Sequence, residues 1–172
     1  MKIFRKSLLM TFLALSSLYF MNIFFQPTSS REIQNYPTPT VEKCEKRTVV
    51  FSYYNPLRGG INCDDDCRYT ASGKRILDDK NNPISSYWWN GEDAGVACPQ
   101  NYNFGTVFEI TFPDGTKSKF ECIDRGGQII EENNITRLDI LHNDGNGPYS
   151  WPVTKRGYRI TKGPYEACVH KP

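Results

Sequence analysis

Two aspartates of this chain lie where a carboxyl group could act as an acid or a base. Asp124 ends an alternating apolar segment, residues 117–123, and Arg125 and two glycines follow it. Asp139 lies inside a second short hydrophobic segment, residues 138–141. Together they are the candidate catalytic residues.

Strand parity predicts the surroundings of Asp124. Counting by two from Asp124 reaches Cys122 and Phe120, and alternate residues of a strand share a face. A carboxyl group at the edge of an apolar interior loses hydration, which disfavours its charged form and raises its pKa. A raised pKa suits a general acid that works near neutral pH. The alternative is that Asp124 only caps the Arg-Gly-Gly turn, because Asp and Gly are ordinary turn residues.

The segments that must position these aspartates are short predicted strands. Residues 48–54 are rich in β-branched and aromatic side chains and end at Asn55-Pro56, which is typical of a strand. Residues 106–112 and 117–123 alternate on either side of a Pro-Asp-Gly turn, which predicts a hairpin. Further strands are predicted at residues 94–98, 138–141 and 157–161. Many short strands separated by Gly and Pro indicate a small barrel or sandwich, so we expect a mainly β fold.

The N-terminal segment predicts export. Three basic residues at positions 2, 5 and 6 precede residues 7–25, which carry no charge, and this order is typical of a secretory signal. The apolar run approaches the roughly 20 residues that span a bilayer. Because no convincing cleavage site follows it, we favour an uncleaved anchor helix that leaves the rest of the chain on the extracellular or periplasmic face. A cleaved signal peptide is the alternative.

The remaining chain divides by composition. Residues 26–40 are rich in Pro, Ser, Thr and Asn and predict a flexible linker. Residues 41–172 have the length of one domain. We therefore expect a signal peptide or membrane anchor over residues 1–25, a linker over 26–40 and a single folded domain after it. The net charge of +2, with no basic cluster interleaved with aromatics, argues against nucleic acid as a partner.

All six cysteines of the chain lie in the part predicted to be exported. An even number in an exported domain favours disulfides. We favour Cys44 with Cys168, which ties the two ends, and Cys98 with Cys122, which ties two core strands; Cys63 and Cys67 remain as a tight loop. A zinc site at Cys63 and Cys67 is the alternative, although the two histidines form no paired motif. We predict no metal and no cofactor.

Several motifs together resemble a known family. In chain order they are residues 70–75 (Thr-Ala-Ser-Gly-Lys-Arg), 95–99 (Gly-Val-Ala-Cys-Pro), 104–106 (Phe-Gly-Thr), the hairpin, 124–127 (Asp-Arg-Gly-Gly) and 137–140 (Arg-Leu-Asp-Ile). This succession is similar to the double-psi β-barrel of the rare-lipoprotein-A-like and three-aspartate (3D) domains of bacterial cell-wall proteins. The resemblance covers residues 51–141.

The resemblance implies a fold and an activity. The fold is a six-stranded double-psi β-barrel whose groove binds a glycan strand, and the activity is that of a peptidoglycan lytic transglycosylase. Asp124 and Asp139 match two aspartates of the family, with Asp124 as the acid/base. The first family aspartate is replaced by Cys98-Pro99. Some barrels of this type, and the plant expansins, bind or loosen walls without cleaving them, so a non-catalytic glycan-binding module is the alternative.

Other residues are candidates for substrate binding. Thr70, Ser72 and Lys74 could line the groove, and the resemblance adds Arg125 from the Asp-Arg-Gly motif. Trp88 and Trp89, which follow Tyr87, could stack on sugars, and adjacent loop residues cannot all pack inward, so we expect at least one of these rings to be exposed. A third hypothesis is an inverting hydrolase of another glucan, for which Glu92 or Asp93 would supply a second carboxylate.

Overall fold

The computed structural model describes residues 44–59, 63, 66–145 and 149–172. The predicted anchor or signal peptide and the linker lie outside these residues. Contacts divide the chain into Met1–Val41 and Glu42–Pro172, and the fold described below is that of the second unit. Within the described residues, no helix has the length and hydrophobicity needed to cross a membrane.

Seven strands form the regular structure of this unit. In chain order they are β1 Glu45–Tyr54, β2 Ala94–Ala97, β3 Val107–Thr111, β4 Lys117–Asp124, β5 Glu131–Glu132, β6 Ile135–Leu141 and β7 Tyr165–His170. The described residues contain no α-helix, and a 3-10 turn at Pro56–Arg58 follows β1. The prediction of a mainly β fold is confirmed.

Six of the strands close a barrel. Their order is β1-β7-β3-β4-β2-β6, and β6 returns to pair with β1, while the short β5 extends β6. The pairs β1–β6 and β2–β4 are parallel, and the other barrel pairs are antiparallel. The predicted barrel is therefore present, and closure leaves no unpaired sheet edge among the six strands.

One predicted strand is wrong. Residues 157–161 form a loop with an isolated bridge between Val153 and Arg159, and the strand that closes the barrel is β7, further along the chain. Residues 157–161 have the right composition, but β7 pairs with both β1 and β3. Two sets of backbone partners stabilise a strand more than local composition does.

Two apolar clusters lie on opposite sides of the strands. The first fills the barrel with alternate side chains of β1, β2, β3, β4 and β6, including Phe51, Val96, Phe108, Phe120 and Leu138. The second packs the other face of the strands against the segment before β2, through Tyr54, Ile76, Leu77, Trp88, Ala97, Ile123 and Leu141. The long segment before β2 is therefore attached to the barrel by its own small core.

Three disulfides join the cysteines in the expected pairs. They are Cys44–Cys168, Cys63–Cys67 and Cys98–Cys122, and the prediction is confirmed. Because Cys63 and Cys67 are bonded to each other, they are not zinc ligands. Among the described residues, no group of three or more His, Cys, Asp or Glu side chains could hold a metal ion.

Candidate functional site

Strand register brings the two candidate aspartates to one row of the barrel wall. Ser52 of β1 is opposite Asp139 of β6, Asp139 is opposite Ala97 of β2, and Ala97 is opposite Asp124 of β4. Residues directly opposite each other in a sheet share a face. Two strand spacings separate the aspartates, so their Cα atoms lie roughly 10 Å apart with only the small Ala97 between them.

A β-bulge places Asp124 in this row. Val96 is opposite Cys122 but Ala97 is opposite Asp124, so Ile123 is an extra residue in β4. An extra residue re-aims the side chains that follow it. The expectation that Asp124 shares the face of Phe120 and Cys122 is therefore wrong. Its neighbours belong instead to the second apolar cluster.

Three donors hold the Asp124 carboxylate. The Tyr54 hydroxyl donates to its Oδ2 at 2.9 Å. The backbone N–H of Ala71 donates to its Oδ1 at 2.8 Å, and that of Arg125 donates to the same oxygen at 2.9 Å. The Arg125 bond agrees with the predicted capping of the turn. The other two come from segments far away in sequence, so the carboxylate also joins β1 and the loop at residue 71.

Tyr54 remains a proton donor to Asp124. Its side chain is buried. Burial, the negative charge of Asp124 and the hydrogen bond between them all raise the pKa of Tyr54 well above its ordinary value. The phenol therefore stays protonated over the pH range in which proteins are stable. Tyr54 fixes the direction of the Asp124 carboxylate.

Asp139 is in a different environment. It is half-buried, and no hydrogen-bond partner for its buried Oδ1 is found among the described residues. Burial raises its pKa to about 6, the charge of Asp124 adds to this rise, and a hydrogen bond with the Ser52 side chain partly offsets it. The surroundings expected for a general acid are therefore found at Asp139.

Both aspartates line one cavity of about 340 Å³. A volume in this range is ordinary for a small-ligand site. Its wall is formed by Tyr54, Ala97 and Ile76 from the second cluster, by Thr70 and Ala71, and by the Gly126–Gly127 pair. Glu92 and Asp93 are not among its lining residues. Glu92 pairs with Lys155, and Asp93 accepts a hydrogen bond from the Lys119 backbone.

The predicted groove residues 70–74 are only partly at the cavity. Thr70 lines it, and its hydroxyl lies 3.0 Å from that of Ser72 and accepts from the Lys74 backbone N–H at 3.2 Å. The Lys74 ammonium lies 5.5 Å from the centre of the Tyr87 ring. Thr70 thus shapes the wall, and Ser72 and Lys74 support the loop that carries Ala71.

The guanidinium of Arg125 contacts the barrel rather than an open groove. Nη2 donates to the Tyr102 carbonyl at 2.7 Å, Nη1 lies against the two sulfurs of the Cys98–Cys122 disulfide, and the group lies 4.0 Å from the centre of the Phe104 ring. Burial lowers the pKa of Arg125. These contacts give Arg125 a structural role, joining the strand that ends at Asp124 to the loop at residues 98–104.

Neither tryptophan is an exposed platform. Trp88 is 6% exposed and donates from Nε1 to the Ile76 carbonyl at 2.8 Å. Trp89 is half-buried, stacks on Phe120 with ring centres 5.8 Å apart, and donates to the Val153 carbonyl. Tyr87 is also half-buried. The expectation that one of these rings is exposed is wrong, and Trp88 is a core residue that cannot stack on a sugar.

Sequence reasoning missed two residues of the site. Tyr54 and Ser52 were treated only as parts of a strand, yet they contact Asp124 and Asp139 respectively. Their spacing of two places them on one face of β1. That spacing is visible in the sequence, but the parallel pairing of β1 with β6 is not.

Comparison of the chain with protein-family models, with curated proteins and with solved structures finds no match. The fold and the site described above therefore rest on the chain's own residues.

Proposed function

We propose that this protein acts on glycan strands of the bacterial cell envelope, cleaving them as a lytic transglycosylase in the cavity between Asp124 and Asp139. The observation that carries the proposal is that two carboxyl groups with contrasting surroundings line one cavity. One is held by three donors, and the other has a buried oxygen without a partner and a pKa of about 6. Such contrast is typical of paired carboxyl groups with separate catalytic roles.

The roles follow from these surroundings. Asp139 holds a proton at mildly acidic pH and gives it to the glycosidic oxygen as the C1–O bond breaks. The 6-hydroxyl of the same sugar then closes onto C1, and its proton passes to the Asp139 carboxylate. The products are an anhydro sugar and a free hydroxyl on the leaving sugar, and no water is consumed. Asp124, fixed by Tyr54, presents negative charge to the positive charge that develops on the ring.

We also propose that the barrel is of the double-psi type. Support comes from the two parallel pairs, β1–β6 and β2–β4, which flank the antiparallel β2–β6 pair. Parallel neighbours require crossover connections. The same proposal places the domain outside the cytoplasm, where its three disulfides are stable.

The test is digestion of purified peptidoglycan sacculi with the full chain, followed by mass analysis of released products. The wild type should release anhydro-muropeptides. Asp139→Asn removes the proton donor and should reduce the rate by about 10²–10⁴-fold, the usual contribution of a general acid. Tyr54→Phe leaves Asp124 with two donors and should reduce the rate less.

The matched control is Glu166→Gln, which removes an exposed carboxylate on β7 and should leave the rate unchanged. A loss of less than about tenfold for Asp139→Asn would exclude its role as the acid. If Asp124→Asn alone abolishes product, the acid/base is Asp124 instead. If the wild type releases no product yet sediments with sacculi, the protein is a non-catalytic glycan-binding module.

A further inference from the structure

A second cavity adjoins the first at the glycine pair. Its volume is about 680 Å³, and Gly126 and Gly127 line both cavities. The far walls are the loop at residues 99–101 and the hairpin between β5 and β6. The two cavities are therefore neighbours that share the wall at Gly126 and Gly127.

The lining of the second cavity is amide-rich. Gln100, Asn101, Asn133 and Asn134 contribute carboxamides, and Ile129 and Ile130 contribute apolar surface. Each carboxamide has both donors and an acceptor. Such pairs match the hydroxyl and acetamido groups of a sugar, while isoleucine side chains suit the apolar face of its ring.

The fold holds the Asn101 carboxamide by a hydrogen bond and fixes the backbone at Asn133 and Asn134. Asn101 donates to Oε2 of Glu131 at 2.8 Å. Asn133 and Asn134 have φ values of 51° and 61°, which fits the tight turn that joins β5 to β6. A wall that is fixed before the ligand arrives loses less entropy on binding.

The charge of the groove limits the ligand. The first cavity is lined by Asp66, Asp124 and Asp139, and Glu131 is the acidic residue lining the second. The one cationic side chain among the residues lining these two cavities is Arg125, whose guanidinium contacts the Tyr102 carbonyl and the disulfide. An anionic sugar would meet like charge and lose hydration without gaining a partner.

We infer that the second cavity is a subsite for an uncharged, N-acetylated sugar of the strand, and that the strand reaches it by passing over Gly127. This inference deepens the proposed function and rests on it for the identity of the strand. It adds what the catalytic cavity does not define, namely a binding site on one side of the cleaved bond and a preference against uronic acids.

Gly127 offers a direct test of this subsite because the space beside its Cα is empty. A Cβ added at Gly127 would meet no atom within 4 Å, whereas one at Gly126 would lie 2.7 Å from Ile129. A side chain at Gly127 would therefore meet no protein atom at its Cβ, and it would stand on the wall that both cavities share. Gly127→Leu should block the passage, and Gly127→Ala should narrow it.

The probes are β-1,4-linked N-acetylglucosamine oligomers of increasing length, titrated into the full chain by calorimetry. Wild-type affinity should rise with length until both cavities are filled. Gly127→Leu should bind long oligomers no better than short ones, with unchanged thermal stability. Gln100→Ala should weaken binding of the long oligomer by about three- to tenfold, as expected for one lost hydrogen bond. Gln128→Ala, an exposed neighbour outside the lining, is the matched control.

Three results would overturn the inference. They are a Gly127→Leu variant that binds long oligomers as the wild type does, equal affinity for galacturonate oligomers of the same length, and no oligomer binding by the wild type. Product release from sacculi is scored separately. If length-dependent binding is lost in Gly127→Leu while the wild type releases no anhydro product, the subsite stands and the proposed catalysis fails.

Discussion

Replacing Asp139 by asparagine should make the folded chain more stable at neutral pH. The carboxyl group of Asp139 has a pKa of about 6 in the fold against an ordinary value of 3.8. Each pH unit of such a difference corresponds to about 1.4 kcal/mol, so burying the charged form costs about 3 kcal/mol of folding free energy. The asparagine side chain keeps an unpaired atom at the same place, so the expected gain is about 2 kcal/mol.

The contribution of Asp139 to folding stability changes with pH in a definite direction. Well below pH 3.8 Asp139 is protonated in both the folded and the unfolded chain and does not affect stability. Between 3.8 and about 6 the folded chain holds the proton more tightly, so this group makes stability fall as the pH rises. Above that window the loss is complete. The advantage of Asp139→Asn should therefore be largest at pH 8, and near pH 4 the variant should be slightly less stable than the wild type because the unpaired atom of asparagine remains.

The assay is urea denaturation of the wild type and Asp139→Asn, with disulfides intact, at one-unit steps from pH 4 to 8. Asp66→Asn is the control of opposite sign. Hydrogen bonds from Arg68 lower the pKa of Asp66 to about 2, so its charge favours the fold and its replacement should not stabilise it. A stability difference for Asp139→Asn that does not change with pH would refute the reasoning, because an uncharged or solvated carboxyl would then occupy the site.

Two further predictions concern the scaffold. Replacing both cysteines of Cys44–Cys168 by serine should lower the free energy of unfolding by about 5 kcal/mol, and replacing those of Cys63–Cys67 should lower it by about 2 kcal/mol. The difference arises because the first disulfide closes a far longer loop. Equal losses in urea denaturation would contradict this. Trp88→Phe should lower the free energy of unfolding by about 1 kcal/mol, because the indole hydrogen bond is lost. It should leave binding to sacculi unchanged. Weaker binding without lower stability would contradict the placement of Trp88 in the core.

Much of the local structure could be predicted from the sequence. The alternation in residues 106–112 and 117–123 predicted the β3–β4 hairpin, and the positions of the cysteines favoured the three pairs that are found. Strand period and turn residues are properties of neighbours in the chain, so a sequence displays them directly. The sequence also indicated Asp124 and Asp139 as candidates, because each lies at the end of or within a predicted strand.

The arrangement of the site was decided by tertiary structure. The bulge at Ile123 depends on how β4 pairs with β2, and simple parity therefore assigned Asp124 to the wrong face. The burial of Asp139 and the hydrogen bond from Tyr54 depend on the parallel pairing of β1 with β6 and on the packing of the segment before β2. The barrel itself is closed by β7 rather than by residues 157–161.

Sequence by itself therefore indicated five of the seven strands, favoured the cysteine pairs that are found and named the candidate carboxyl groups. Tertiary structure decided which of the two aspartates has a buried oxygen without a partner, which is held by donors, and that the Trp88 ring is core. The physical reason is that hydration and hydrogen bonding of a side chain depend on groups brought close by long-range pairing. A carboxyl group's pKa is set by those groups, and they lie tens of residues away in the chain.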